Sequence, residues 1–97
     1  MKDKLLKIIQ KYGIEHQQRK LEEEVFELQQ AITIFENTDI SDYLDGKKAL
    51  KDDIKEELAD VMVLLQQIGY YYELDDLEIN KIIQFKVDRQ LERMKNE

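Results

Sequence analysis

The sequence predicts a small all-α domain, a four-helix bundle that completes its core by dimerisation. Three observations carry the helical part. The 97-residue chain has no Pro and only three Gly, so the turn chemistry of an all-β fold is missing. It is rich in Glu, Lys, Leu, Ile and Gln, which helices accommodate well. Apolar residues also recur at helical spacing nearly throughout.

The first expected helix carries Leu5, Ile8, Ile9 and Tyr12 on one stripe and stops near Gly13, a C-cap residue type. The second carries Leu21, Val25, Leu28, Ile32 and Phe35, at alternating steps of four and three, and fades at Asn37-Thr38-Asp39. Residues 37–48 hold Asn, Asp, Ser and Gly46 and read as a loop, with room for one short turn around Tyr43-Leu44. A third helix is expected from about Lys48 to Tyr72, with Ile54, Leu58, Val61, Leu65 and Ile68 as its stripe. Asp75, with Glu78 three residues later, is a capping-box variant. It opens a fourth helix with Leu77, Ile79, Ile82, Ile83, Phe85, Val87, Leu91 and Met94.

Met62, Val63 and Leu64 join the stripe of the third helix, which is then apolar over most of its circumference. Such a helix is expected to be buried on several sides. A homodimer or homotetramer, with this helix near the shared core, would achieve that. The alternative is that Met62 and Val63 sit under the loop.

Composition bounds the function. The length suits one domain over residues 1–97. With no Cys, disulfide scaffolds, thiolate metal sites and cysteine nucleophiles are excluded; with one His, so is a multi-histidine centre within one chain. The 22 acidic and 15 basic residues leave a net charge of −7, which argues against binding a nucleic-acid polymer. The longest apolar run, Val61-Met62-Val63-Leu64-Leu65, is far short of the ~20 residues of a membrane span. Met1-Lys2-Asp3-Lys4 leads into an amphipathic segment rather than a signal-peptide core. A soluble, cytoplasmic protein is the expectation.

The acidic residues are the informative ones. The second helix carries Glu22-Glu23-Glu24-Val25-Phe26-Glu27, and the third carries Glu56-Glu57-Leu58-Ala59-Asp60. Glu24 and Glu27 are three apart and share a face; Glu57 and Asp60 repeat the arrangement. Each pair flanks its helix's apolar stripe. If the stripes pack together, four carboxylates converge, and like charges that close repel. A hard cation offsets that repulsion, and an all-oxygen set favours Mg²⁺, Mn²⁺ or Ca²⁺. The competing reading is that Glu runs are solvated helix faces.

Gln17-Gln18-Arg19-Lys20-Leu21-Glu22-Glu23-Glu24-Val25-Phe26-Glu27-Leu28, followed by Glu56-Glu57-Leu58-Ala59-Asp60-Val61, resembles the MazG-like all-α nucleoside triphosphate pyrophosphohydrolases. That superfamily includes dimeric dUTPases, dCTP pyrophosphatases and phosphoribosyl-ATP pyrophosphohydrolase. Its signature is EExxE followed, on the next helix, by EExxD. The halves match Glu23-Glu24-x-x-Glu27 and Glu56-Glu57-x-x-Asp60, and the resemblance covers the second to fourth helices. The segment between the halves is long for the family. The resemblance implies that Glu24, Glu27, Glu57 and Asp60 ligate Mg²⁺, with Mn²⁺ as a substitute. It implies an enzyme that cleaves a nucleoside triphosphate between its α and β phosphates, giving the monophosphate and pyrophosphate, in house-cleaning or nucleotide-pool control. Glu23 or a metal-free oxygen of Glu24 would take the proton of the attacking water.

Lys86, Arg89 and Arg93 lie at steps of three and four on the fourth helix and share a face. They suit phosphate oxygens that magnesium leaves uncompensated, as the family's cluster on its last helix does. They could instead pair with Asp88 and Glu92 or complement the helix C-terminus. Gln17, Lys20, Glu24 and Glu27 fall on one face, and family members often have Gln at the position of Gln17. His16, Gln17 and Lys20 are therefore candidates for contact with base or sugar. The Tyr70-Tyr71-Tyr72 run is expected to stack on a base or to pack the end of the third helix against the fourth or a second subunit. A reading from another class is a non-catalytic helical interaction or regulatory module. A di-iron bundle is set aside, because its Glu-x-x-His pairs are missing.

Overall fold

The computed structural model describes residues 1–39 and 44–97, and the described residues form helices without strands. The elements are α1 (Lys2–Tyr12), α2 (Ile14–Asn37), α3 (Leu44–Tyr71) and α4 (Asp76–Met94). None is long and apolar enough to cross a membrane among the described residues. α3 begins before the expected Lys48, so the connection is shorter than residues 37–48. Leu44 belongs to the helix, and the other half of the expected turn, Tyr43, lies outside the described residues.

A single residue joins α1 to α2. Gly13 has φ 86° and ψ 155°, a region essentially reserved for glycine. Its N–H donates to the Ile9 carbonyl at 2.8 Å, closing α1. Its carbonyl accepts from the Gln17 N–H at 3.1 Å, opening α2. One residue thus serves both helix ends, and α1 folds back to pack against α3 and α2.

α2 and α3 form the main packed pair. They run antiparallel: Gln17 meets Gln67, and further along Glu24 meets Asp60. α2 turns Leu21, Glu24, Leu28, Ala31 and Phe35 inward, all buried or half-buried. α3 turns Ile54, Glu57, Val61, Leu64 and Ile68 inward. Leu5 and Ile9 of α1 complete this small core with Val61 and Leu64. The expected stripes are only partly inward. Val25 and Ile32 on α2, and Leu58 and Leu65 on α3, are exposed. Each apolar band is wider than one contact face, and a single chain covers only one side of it. The helices are rotated so that Glu24 and Glu57, not their apolar neighbours, enter the interface.

α4 is different. α3 ends with Glu73 at φ 55°, the Leu74 N–H donating to the Gly69 carbonyl at 2.9 Å and the Glu73 N–H to the Tyr70 carbonyl at 3.2 Å. This is a Schellman end with Glu where Gly is usual. The Asp75 carboxylate then caps α4, accepting from the Leu77 N–H at 2.8 Å and the Glu78 N–H at 3.4 Å. Two hydrogen-bonded caps therefore set the corner. Past it, Asp76, Ile79 and Asn80 of α4 and Leu65, Gln66 and Gly69 of α3 line a small cleft between the two helices. No residue of α4 is buried, and every residue from Asn80 to Glu97 is exposed. The chain spans 47 × 41 × 21 Å with a radius of gyration of 17.3 Å. A compact chain of this length has about 13 Å.

Candidate metal and ligand site

The antiparallel register of α2 and α3 builds the site. Seven residues, or two helical turns, separate Gln17 from Glu24 on α2 and Asp60 from Gln67 on α3. The two helices therefore present matching polar positions to one another.

At one end, the Gln17 Nε2–H donates to Gln67 Oε1 at 2.7 Å, and both side chains are buried. Gln17 Oε1 lies 2.7 Å from His16 Nδ1. The amide oxygen can only accept, so His16 must carry its proton on Nδ1 in that contact. The His16 ring stacks on Tyr12, with centroids 5.1 Å apart and planes 21° apart. Aromatic, imidazole and amide groups thus form one ordered row from α1 into the α2–α3 interface.

At the other end, Glu24, Glu57 and Asp60 each present a carboxylate oxygen within 4.8 Å of the others. Glu24 is buried, Glu57 half-buried and Asp60 exposed. Lys20, one turn before Glu24, approaches Glu24 Oε1 at 3.2 Å and Glu23 Oε2 at 3.7 Å. The charge and hydrogen bond of Glu24 hold the Lys20 ammonium above its ordinary pKa. Lys20 offsets only part of the negative charge. Glu24 Oε2 and Glu57 Oε2 are buried and have no hydrogen-bond partner among the described residues. Loss of water around Glu57 raises its pKa above the ordinary Glu value. The charge of Glu27, a hydrogen bond shared with it, and the charges of Glu24 and Asp60 push in the same direction. Glu27 is therefore coupled to the cluster although it lies outside the tight group of three.

Buried polar atoms are normally satisfied, because an unpaired one loses its hydration without compensation. Two unpaired carboxylate oxygens beside a third carboxylate fit a bound cation. The donors are all oxygen, which suits Mg²⁺, Mn²⁺ or Ca²⁺ rather than a softer metal.

Tyr12, His16 and Gln17 of the row and two of the acids, Glu24 and Asp60, share the wall of an open cleft of about 590 Å³. Its apolar side is Ile8, Tyr12, Val63 and Leu64; its polar side includes His16, Gln17, Lys20, Glu23, Glu24 and Asp60. A cleft with an apolar floor and a few converging polar groups is the usual form of a small-ligand site.

Of the residues singled out from sequence, His16, Gln17, Lys20, Glu23, Glu24 and Asp60 line this cleft; Glu57 joins Glu24 and Asp60 in the acidic group, and Glu27 acts on Glu57 through its charge. Lys86, Arg89 and Arg93 are exposed on α4 and do not line it. Arg89 lies over the ring of Phe85, 5.8 Å from its centroid. The cations at the cleft come from α2 instead, as Lys20 and Arg19. The Tyr run does not line the cleft: Tyr70 faces α1, with the Lys2 ammonium 5.7 Å from its ring centroid. The aromatic ring at the cleft is Tyr12. Sequence reasoning missed Gln67, Arg19 and Tyr12 as site residues. Gln67 was findable, since an antiparallel pairing anchored on Glu24 and Asp60 puts it opposite Gln17.

No family model, curated protein or solved structure matches this chain.

Proposed function

We propose that this chain is a Mg²⁺-dependent nucleotide pyrophosphohydrolase of the MazG-like kind. One observation carries the reading: Glu24 and Glu57 each bury a carboxylate oxygen without a partner, in a group with Asp60 beside a cleft that has an apolar, ring-lined floor. A cation would offset that repulsion, and its ligands would be Glu24, Glu57 and Asp60, with Glu27 beside them. When bound, Mg²⁺ supplies charge compensation for phosphate oxygens and makes a water more acidic.

The chain's own groups divide the remaining work. Arg19 and Lys20 attract the phosphates that the acids alone would repel. Tyr12, Val63 and Leu64 offer apolar surface for a flat base and exclude water from it. His16 and Gln17, fixed by their mutual hydrogen bond, offer directed polar contacts to base or sugar. Glu23 takes the proton of the attacking water. Glu24 is less suited, because Lys20 engages one of its oxygens and the other is buried in the cluster. In the reaction, a bond forms from the water oxygen to phosphorus. The bridging P–O bond breaks, its electron pair leaves on the departing phosphate, and the products are monophosphate and pyrophosphate.

The test is incubation with a panel of canonical, deoxy- and modified nucleoside triphosphates plus Mg²⁺, read by ³¹P NMR. Monophosphate and pyrophosphate from at least one member are expected. None from any, with the helical fold intact, would contradict the proposal.

A second reading, a non-catalytic helical interaction module, is favoured by the exposed apolar residues of α3 and α4. It predicts no calorimetric signal with Mg²⁺ and a non-hydrolysable triphosphate.

A further inference from the structure

Nothing in the proposed chemistry uses Gln67, yet it is 2% exposed, deeper than the leucines beside it. Its partner Gln17, on the other helix, is 4% exposed. Replacing both partners of a buried hydrogen bond by apolar groups of the same shape costs a protein little. Packing alone therefore does not call for two amides here. What an amide pair adds is direction, because one end of each group donates and the other accepts.

That direction runs outward to His16. Gln17 Nε2–H donates to Gln67 Oε1, which leaves Gln17 Oε1 for His16 Nδ1. The proton of the neutral ring is then on Nδ1, the tautomer a free histidine disfavours. The hydrogen bond made by one ring nitrogen sets the state of the other, so Nε2 keeps a lone pair and no proton. Nε2 lies on another edge of the ring, away from Gln17, and has no hydrogen-bond partner among the described residues. The ring is exposed, lines the cleft and is held by Tyr12, which stacks on its face.

We infer that Gln67 is a positioning residue: through Gln17 it holds His16 with its proton on Nδ1, so that Nε2 accepts a hydrogen bond from a flat ring with an N–H donor on its edge. The inference deepens the reading of the cleft as a nucleotide site and rests on it for the class of ligand. A ring methylated at that N–H lacks the donor and brings a methyl group against the lone pair. Without Gln67 the Gln17 amide is free to turn and donate to Nδ1. His16 then returns to the tautomer it favours, Nε2 becomes a donor, and the preference for N–H edges is lost.

His16 is the only His of the chain, so its ring nitrogens can be read without ambiguity. Long-range ¹H–¹⁵N correlation spectra of the full chain, with the ring neutral and no nucleotide or Mg²⁺ added, are the first test. A proton on Nδ1 is expected in the parent and in Gln67→Glu, which keeps an acceptor oxygen at that position. A proton on Nε2 is expected in Gln67→Leu. A parent with its proton on Nε2, or a folded Gln67→Leu chain with the parent's tautomer, overturns the inference. The second test titrates the same signals with uridine and adenosine, each beside N3-methyluridine or N6,N6-dimethyladenosine. At least one nucleoside is expected to bind ~10-fold or more tightly than its methylated counterpart. That ratio should survive in Gln67→Glu and fall towards parity in Gln67→Leu. No binding, equal binding of each pair by the parent, or an unchanged ratio in Gln67→Leu overturns the selection. Neither test involves hydrolysis: a chain that fails both and still cleaves triphosphates loses only this inference, and one that passes both and cleaves nothing loses only the proposed activity.

Discussion

The α2–α3 pair and α4 are helices of similar composition with opposite fates. Where α2 meets α3, the interface takes in charge: Glu24 and Glu57 turn inward while Val25 and Leu58 stay outside. In α4, no residue is buried, and the apolar side chains beyond Ile79 are exposed. A lone chain gains nothing from either choice. Burying carboxylates costs hydration, and exposing Leu and Ile forfeits the gain of burial. Each region leaves something uncompensated, charge in the first and apolar surface in the second. The contrast predicts that truncating a side chain at the α2–α3 interface costs more stability than truncating one on α4.

The largest expected effect comes from the acids. Asp60→Asn or Glu57→Gln removes a charge that the cation needs and lowers phosphohydrolase turnover by at least ~100-fold, given the several kcal/mol such charges supply in transition states. A variant with near-parent activity would detach the cluster from the chemistry. Next is the core beneath the cleft. Leu64→Ala, at a residue 4% exposed, is expected to cost about 2–5 kcal/mol in urea unfolding. Leu77→Ala, at a residue 72% exposed, should change little. Equal effects would break the comparison.

Gly13→Ala comes third. Space is open around it, so the penalty is the backbone strain of φ 86° alone, about 1–3 kcal/mol. Gln67→Leu leaves the buried Gln17 amide without its acceptor and is expected to cost a similar ~1–3 kcal/mol. It should also loosen His16, visible as a change in the imidazole NMR signals. The smallest is Asp75→Ala, about 1 kcal/mol from the lost cap. Hydrogen exchange should speed up in α4 and not in α2.

Much of this fold was legible in the sequence. Gly13 and Asp75 announced two of the corners through their local chemistry, and both serve there. The start of α3 was not legible, because Leu44–Lys47 carries Asp and Gly that read as loop while the helix continues through them. Rotation of α2 and α3 was not legible either. A band of apolar residues wider than one face does not say which edge turns inward, and only the paired carboxylates marked the contact. The position of α4 depends on two caps acting together, so the sequence pattern could group Lys86, Arg89 and Arg93 on a face but could not say how far that face stands from the acids.

The cluster also has a pH signature. The folded Glu57 carboxyl holds its proton more tightly than the unfolded one, whose value is near 4.5. Below that, both states are protonated and the group does not penalise folding. As pH rises through the raised folded value, the folded state binds more protons than the unfolded, so stability falls. Glu57→Gln removes this slope.

Thermal unfolding of the parent chain and of Asp60→Asn, each with chelator and with Mg²⁺ at neutral pH, tests the central claim most directly. The account predicts that Mg²⁺ raises the parent's melting temperature, as a ligand of the folded state must. It predicts that Asp60→Asn melts at or above the parent without metal, because repulsion is relieved, and gains little from Mg²⁺. A parent indifferent to Mg²⁺, with an Asp60→Asn variant clearly less stable, would show that these carboxylates are structural and contradict the account.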